Sequence, residues 1–337
     1  MRFALIGSGV IAKTHARTIG QLGEAAELVV VVTSGRGDGE ALARSSGAEL
    51  SRSTAEVLRR SDVDAVVIYT PTGLHADTAV AALEAGKHDL VEKPLDVTVD
   101  AARRVLDAQQ RSGRAAAVVS QRRFAAASRT VQEALQAGRL GRLTSCVVSM
   151  PWWRDQSYYD GATWRGSREL DGGGALLNQG IHAIDLMTWF MGVPEEVFAW
   201  TGCLAHERID VEDTAVASVR FATGALGAVH ATTAAASELA VRLQVHGDRG
   251  TAVMEDDRLV LLATAEAGDV SSPRGVGGCG PSGQEQVFLL QYQDFLDSVR
   301  YGRPPMVDAR AGAQSLAVVE ATYRSASTGA PVGVERL

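Results

Sequence analysis

Phe3-Ala4-Leu5-Ile6-Gly7-Ser8-Gly9-Val10-Ile11-Ala12 opens the chain with an apolar run that stops at two glycines and resumes in a helix-forming stretch. Strand, glycine turn and helix in that order are the context in which a Gly-x-Gly-x-x-Gly/Ala motif binds a dinucleotide. Gly7 permits the tight turn, Gly9 lets the backbone approach a pyrophosphate, and small Ala12 lets helix and strand pack closely. The unpaired N–H groups of the helix start then face the phosphates. Gly7, Ser8, Gly9, Val10 and Ile11 are the first candidate cofactor contacts.

From this stretch outward, strands and helices alternate to about residue 120. Strands are predicted at 3–6, 28–32, 65–69, 89–91 and 116–120, and helices at 12–22, 39–46, 54–60, 76–85 and 99–110. The strands are continuous apolar runs, as burial on both faces of a parallel sheet requires. After Gln121 a helix at 127–137 precedes strand-like segments at 143–150, 197–203, 214–221, 225–233, 241–246 and 251–254, with a turn at Thr223-Gly224. A helix over 175–191 interrupts that run. Residues 265–283 are rich in Gly, Ser and Pro and predict a long loop, and helices at 287–301 and 309–327 close the chain. The expected class is α/β: a doubly wound Rossmann domain over 1–121, then an α+β domain over 122–337 for substrate binding and oligomerisation, with a large, mostly antiparallel open sheet.

Bulk properties narrow the function. A length of 337 residues and a net charge of -7 without a block of like charges fit a multidomain protein and argue against nucleic acid or an anionic membrane as partner. The cysteines, Cys146, Cys203 and Cys279, are odd in number and scattered, so neither a disulfide framework nor a metal-ligand spacing is read. No apolar run reaches the length of a membrane span. The short apolar start belongs to the first strand rather than to a signal peptide, and the expected location is cytoplasmic.

The ribose end of the cofactor is read from the second strand, which normally closes on an Asp or Glu that bonds the 2'-hydroxyl of NAD. Here it runs Val31-Val32-Thr33-Ser34-Gly35-Arg36, and the first acid is Asp38. Ser34 and Arg36 suit a 2'-phosphate, which puts NADP ahead of NAD, while Asp38 is the residue that would favour NAD. Further candidates at the carboxyl edge of the sheet are Thr70, Pro71, Thr72 and His75, then Glu92, Lys93, Pro94 and Gln121.

Two motifs carry the chemistry. Val91-Glu92-Lys93-Pro94 ends a strand, and Lys93 is one of three lysines among 33 basic residues. A lysine shares a proton with a reacting oxygen, which a guanidinium does not usefully do. The second motif, Gly172-Gly173-Gly174 leading into Asn178, His182 and Asp185, puts three polar residues at i, i+4 and i+7 on one helix face. A lone helical histidine is most often a satisfied core group. Beside Lys93, His182 becomes a proton carrier for an alcohol that loses hydride, with Lys93 opposing the charge that develops on the oxygen. Trp152, Trp153, Tyr158, Tyr159, Trp164 and Trp189 concentrate aromatic faces near Arg154 and Arg165. Trp153, Tyr159, Trp164 and Arg165, with Arg123, Lys93, Asn178 and His182, are the candidate substrate contacts for a polyhydroxylated ring; packing or an oligomer contact is the competing use of the tryptophans.

The Glu-Lys-Pro tripeptide and the glycine-led histidine helix resemble those of the glucose-fructose oxidoreductase and inositol dehydrogenase family, Gfo/Idh/MocA, and the resemblance spans nearly the whole chain. It implies that Lys93 is the active-site lysine, His182 the catalytic histidine, and Glu92 and Pro94 the walls of the nicotinamide pocket. It also implies a homodimer or homotetramer built through the C-terminal sheet. Asn178 stands where many members have Asp; it orients the histidine without adding charge, and Asp185 is the nearest acid to compensate. The expected activity is hydride transfer between NADP or NAD and a secondary alcohol or ketone of a sugar, sugar derivative or cyclitol. The alternatives are a sugar sensor without turnover, and transient oxidation by tightly bound cofactor that enables epimerisation or glycoside cleavage.

Overall fold

Apolar runs of four to six residues become the strands of a parallel sheet in a computed structural model that describes residues 1–35, 38–237, 239–265 and 281–337. By backbone proximity the chain forms two units, Met1–Gln121 with Gln284–Ala313, and Arg122–Gly283 with Gln314–Leu337. The expectation that everything after residue 121 builds the second domain therefore differs from the structure in one respect: residues 284–313 return to the first unit.

In the first unit, strands β1 (Arg2–Ile6), β2 (Glu27–Val32), β3 (Glu49–Ser51), β4 (Ala65–Ile68), β5 (His88–Val91) and β6 (Ala116–Val118) pair in parallel in the order β3-β2-β1-β4-β5-β6. Helices α1 (Ala12–Gln21), α2 (Gly39–Ser46), α3 (Thr54–Leu58), α4 (His75–Glu84) and α5 (Val99–Ser112) connect them. This is the dinucleotide-binding strand order, with its switch point between β1 and β4, where ligands bind at the carboxyl ends. Every residue of β4 is buried, because helices cover both faces. The strand of this unit missed from sequence, β3, is a three-residue edge strand, Glu-Leu-Ser, too short and polar to show a periodicity.

The second unit contains α6 (Ala126–Gln136), β7 (Leu143–Pro151), α7 (Gln156–Asp160) and a π-helical turn at Ala175–Gln179 that runs into α8 (Ile181–Met191). Strands β8 (Pro194–Gly202), β9 (Thr214–Phe221), β10 (Leu226–Thr232), β11 (Arg242–Gly247), β12 (Gly250–Glu255), β13 (Arg258–Thr264) and, at the far end of the chain, β14 (Val332–Gly333) complete a sheet in the order β13-β12-β11-β7-β10-β9-β8-β14. Its pairs are antiparallel except for β7 with β10, which run parallel. β9 alternates buried and exposed residues along its length, the pattern of a sheet with one open face. The turn between β12 and β13 is Asp256-Asp257, both at positive φ, so the hairpin carries no Asn-Gly or Asp-Gly signal.

Two helices follow residue 280, α9 (Pro281–Tyr301) and α10 (Ala309–Thr328). The predicted loop over 265–283 lies, from 266 to 280, outside the described residues, and its last three positions already belong to α9. Phe288, Tyr292 and Phe295 of α9 join Phe3, Leu5 and Ile19 in the core of the first unit. Gln291 Nε2 donates to Val118 O at 2.8 Å, and Val118 N to Val307 O at 3.1 Å, so the returning segment also pairs the free edge of β6.

Phe295, 1% exposed and 6.3 Å from the Phe3 ring, is expected to be essential to this closure. Phe295→Ala should lower the unfolding free energy by about 3–5 kcal/mol. Chemical denaturation reads this directly, and an unchanged midpoint would mean that α9 is dispensable to the first core.

Candidate active site

The glycine turn after β1 has little latitude. Gly7 has φ of +125°, and a Cβ there would lie 2.8 Å from the Tyr69 ring and 2.9 Å from the Tyr69 carbonyl. Gly7 N donates to Val32 O at 3.0 Å, and the Ser8 and Thr33 hydroxyls lie 2.9 Å apart, tying the turn to the end of β2. Gly9 differs: a Cβ there meets no protein atom within 4 Å, and Val10 beside it is 87% exposed. The crest of the turn is therefore clear of protein while its base is clamped. That cradle fits a pyrophosphate at the start of α1.

His15, one turn into α1, was not anticipated from sequence and organises the site from below. It is fully buried, stacks on Tyr69 at 5.6 Å, and places Nε2 3.0 Å from Glu92 Oε1 and Nδ1 2.8 Å from the Tyr292 hydroxyl. A carboxylate only accepts, so Nε2 is the donor to Glu92. The other Glu92 oxygen accepts from Lys93 N at 3.0 Å, just before the cis Lys93–Pro94 peptide. Burial pushes the Glu92 carboxyl up, but the His15 hydrogen bond, the Lys93 charge and its backbone N–H outweigh this and hold it below its ordinary value. Glu92 is thus an anchored carboxylate, and its anchor fixes the backbone that carries Lys93.

His75 does not face a ligand as expected. Its buried ring places Nδ1 2.8 Å from Pro94 O and Nε2 2.8 Å from Thr70 O, so it braces the end of β4 against the end of β5, and burial lowers its pKa. Thr72 is buried and Pro71 caps a short 3₁₀ turn. Two polar atoms at this edge, Thr70 Oγ1 and Gln121 Oε1, are buried without a hydrogen-bond partner. On the ribose side, Gly35 N donates to Thr33 Oγ1 at 3.2 Å beside Ser34, and Lys13 donates to Asp38 at 2.7 Å, which holds that exposed carboxyl below its usual range. Arg36 lies outside the described residues.

In the second unit the glycine run serves close approach. A Cβ on Gly174 would fall 1.8 Å from Glu212 O, and the Glu212 carboxylate accepts from Gly174 N at 3.1 Å, Leu176 N at 2.8 Å and the Tyr323 hydroxyl at 2.9 Å. Glu212 therefore caps the π-helical turn, and burial raises its pKa against those donors. The π turn means that 178, 182 and 185 do not form one continuous α-helical face. Asn178, His182 and Trp189 are half-buried while Asp185 is buried.

Two expected roles change here. Arg123 donates to both Asp185 oxygens, at 2.8 and 2.6 Å, beneath Trp189 and beside Ser315, so its guanidinium is engaged in a buried ion pair rather than turned to a substrate. Asn178 instead donates its amide to buried Asp171, which also accepts from Gly166 N at 2.9 Å. Of the neighbouring tyrosines, Tyr159 is the buried one: its hydroxyl lies 2.8 Å from Thr233 Oγ1 and its ring packs edge-on against His206. The half-buried partner is Tyr158, 3.0 Å from Gln179 Nε2. Trp153 and Trp164 are half-buried, and Trp153 donates to Asp155 at 2.8 Å. His206 is held by Asp213 at 3.0 Å and by Arg154 O at 2.7 Å, which fixes the segment that carries these rings.

Because Glu92 binds its proton less tightly in the folded unit than in the unfolded chain, its stabilisation is fully present above the ordinary value of 4.5 and is lost as pH falls below it. Comparing denaturation of wild type and Glu92→Gln across pH 3–7 should show the wild-type advantage shrinking below about pH 4.5. A constant difference would mean the carboxylate contributes nothing through its charge.

Residues 1–120 match the oxidoreductase family with an NAD-binding Rossmann fold, and residues 128–253 match the GFO/IDH/MocA C-terminal domain. Among solved structures, the WlbA dehydrogenase from Bordetella pertussis in complex with NADH and UDP-GlcNAcA is 33% identical, with 99% of this chain and 98% of that one covered and a TM-score of 0.89. The 1,5-anhydro-D-fructose reductase of Ensifer adhaerens is 28% identical over 99% of this chain and 98% of its own, and the myo-inositol 2-dehydrogenase of Thermotoga maritima is 28% identical over 96% of each. With both domains matched in order and a relative of the same fold along its whole length, the chain belongs to the GFO/IDH/MocA family of oxidoreductases.

Proposed function

We propose that this enzyme moves a hydride between NAD(P)(H) and a carbon bearing a hydroxyl or keto group on a sugar, sugar derivative or cyclitol. One observation carries the reading: the clamped turn at Gly7, the end of β4 at Thr70 and the Glu92-anchored Lys93 gather at the switch point of the first sheet. Bound nicotinamide supplies or accepts the hydride. Gly9, Ser8, Val10 and Ile11 would hold the pyrophosphate, with Thr70, Thr72, Pro94 and Gln121 lining the remainder. Ser34 and Arg36 favour a 2'-phosphate and hence NADP; Asp38, already held by Lys13, is the acid that would favour NAD.

Within this reading the Lys93 ammonium hydrogen-bonds the reacting oxygen and opposes its negative charge, and His182 takes or returns the hydroxyl proton. Asn178 orients the substrate hydroxyls from a fixed rotamer, since its amide donates to Asp171 and its oxygen accepts from Gln179 at 3.2 Å. The carboxylate that many members carry at position 178 has its counterpart here in Asp171, one hydrogen bond behind. The enzyme is taken to be cytoplasmic, as its odd, scattered cysteines favour. Among the described residues no helix is long and apolar enough to cross a membrane.

Copies are proposed to associate as a dimer or tetramer through the open face of the second sheet. Trp200 and Val216, cross-strand partners on β8 and β9, are 64% and 47% exposed, Leu226 is 60% exposed, and Phe198 packs edge-on against Trp200. Apolar exposure of this extent marks an association surface. Trp200→Glu should reduce the mass in light scattering, and a monomeric wild type would remove this part of the proposal.

The chemistry is tested by following NAD(P)H absorbance against a panel of pyranoses and inositols. Lys93→Ala and His182→Ala should each lower kcat by about 10²–10⁴-fold. Gly9→Val, whose Cβ meets no protein atom within 4 Å, should weaken cofactor binding at least about tenfold with thermal stability unchanged. Wild-type turnover in both the Lys93 and His182 variants would remove the assigned roles, and binding of sugars without any hydride exchange would favour a sensor.

A further inference from the structure

The polar side chains around Asn178 form a chain of hydrogen bonds whose direction is fixed from one end. Asp171 is buried, and its carboxylate only accepts, so the Asn178 amide nitrogen faces it and donates. The Asn178 oxygen is thereby turned to Gln179, whose Nε2 donates to it at 3.2 Å. The same nitrogen lies 3.0 Å from the Tyr158 hydroxyl. Turning the Gln179 amide over would set its oxygen against the Asn178 oxygen, so Gln179 uses both amide hydrogens and the Tyr158 oxygen is an acceptor.

A phenol whose oxygen accepts still has a hydrogen to give. Among the described residues no acceptor meets the Tyr158 hydroxyl hydrogen, whereas the hydroxyl of its neighbour Tyr159 lies 2.8 Å from Thr233 Oγ1. Tyr159 is buried, but Tyr158, Asn178 and Gln179 are all half-buried, so this end of the chain is partly open. The ring is held in place: the Arg165 guanidinium carbon lies 4.4 Å from its centroid, Arg165 also donates to Tyr158 O at 2.9 Å, and Tyr159 packs edge-on at 5.2 Å. Burial raises the Tyr158 pKa against the Arg165 charge, so the hydroxyl keeps its hydrogen through the neutral range.

We propose that Tyr158 is a specificity-determining contact, its hydroxyl donating to an oxygen of the sugar or cyclitol, and that Gln179 is the positioning residue that aims Tyr158 and Asn178 together. This rests on the reading of the protein as a sugar or cyclitol oxidoreductase and adds to it a donor and the residue that orients it. A substrate with an acceptor oxygen at this place is answered, and one without it leaves the phenol hydrogen unpaired.

Calorimetric titration of the NAD(P)H-loaded enzyme with D-glucose, D-galactose, D-glucuronate, UDP-glucose, myo-inositol and scyllo-inositol first finds the probe that binds best. For that probe Tyr158→Phe should weaken binding about five- to tenfold, the scale of one hydrogen bond left unmade. Gln179→Met should weaken it as well, and the double variant should lose less than the product of the two losses, because both act on one contact. Replacing Tyr158 by 3,5-difluorotyrosine, nearly the same in shape, separates donation to a ligand from a structural tie. Fluorine brings the phenol pKa well below the ordinary tyrosine value of about 10. The phenolate still accepts from Gln179 but has no hydrogen to give, so binding relative to wild type should fall as pH rises through that lowered value. Wild-type affinity in Tyr158→Phe, or a fluorinated enzyme whose pH profile follows wild type, overturns the proposal and leaves the redox reading untouched. A panel in which no probe binds removes the sugar reading and the proposal together.

Discussion

The hydrogen bond from His15 to the buried Glu92 carboxylate is the contact on which the first unit's chemistry depends. It joins the helix that starts at the glycine turn to the strand end that carries Lys93, across the switch point of the sheet. Tyr292 closes the other side of the imidazole and Tyr69 lies flat on it, so the ring cannot turn without opening the core. A buried carboxylate with this partner is strongly held, because removing either member leaves a desolvated polar group with no answer. The lysine therefore inherits its backbone placement from a buried network reaching back to α1.

The second unit uses two adjacent acids for comparable ends. Glu212 receives the first N–H groups of the π turn, and Asp213 gathers Leu204, Ala205 and His206 N–H together with the His206 ring. One carboxylate sets the helix that bears Asn178 and His182, and its neighbour sets the segment that bears Trp153, Arg154 and Tyr158. Their environments push them in opposite directions: burial dominates at Glu212 and raises it, whereas at Asp213 the several donors overcome burial and lower it. The π turn that Glu212 caps is of a rare kind, found mostly as single turns within helices and frequently at functional sites.

Much of the scaffold was legible because its signals are local. Continuous apolar strands, the glycine turn at 7–9 and the helix boundaries near 12, 39 and 99 follow from residue type alone. What stayed hidden depends on partners distant in sequence. His15 and Glu92 are 77 positions apart, and only the fold makes them a pair. The choice between Tyr158 and Tyr159 turns on a five-residue helix that aims one ring inward, and the sequence reading took the buried one. Arg123 resembled a substrate ligand until Asp185 claimed it, and the i, i+4, i+7 argument presumed an α-helix where the first turn is wider. A histidine on the buried face of the first helix, four residues before Ile19, was the available hint of a buried polar network.

The return of α9 to the first unit has a temporal meaning for a chain made from one end. Phe3, Leu5 and His15 are made long before their cover, Phe288, Tyr292 and Phe295, which leaves the ribosome only after most of the second unit. At ordinary elongation rates that interval is on the order of fifteen to sixty seconds. During it the nascent nucleotide-binding half carries an unsealed apolar surface and an imidazole lacking its tyrosine. Until α9 arrives, that surface is open to association with other chains.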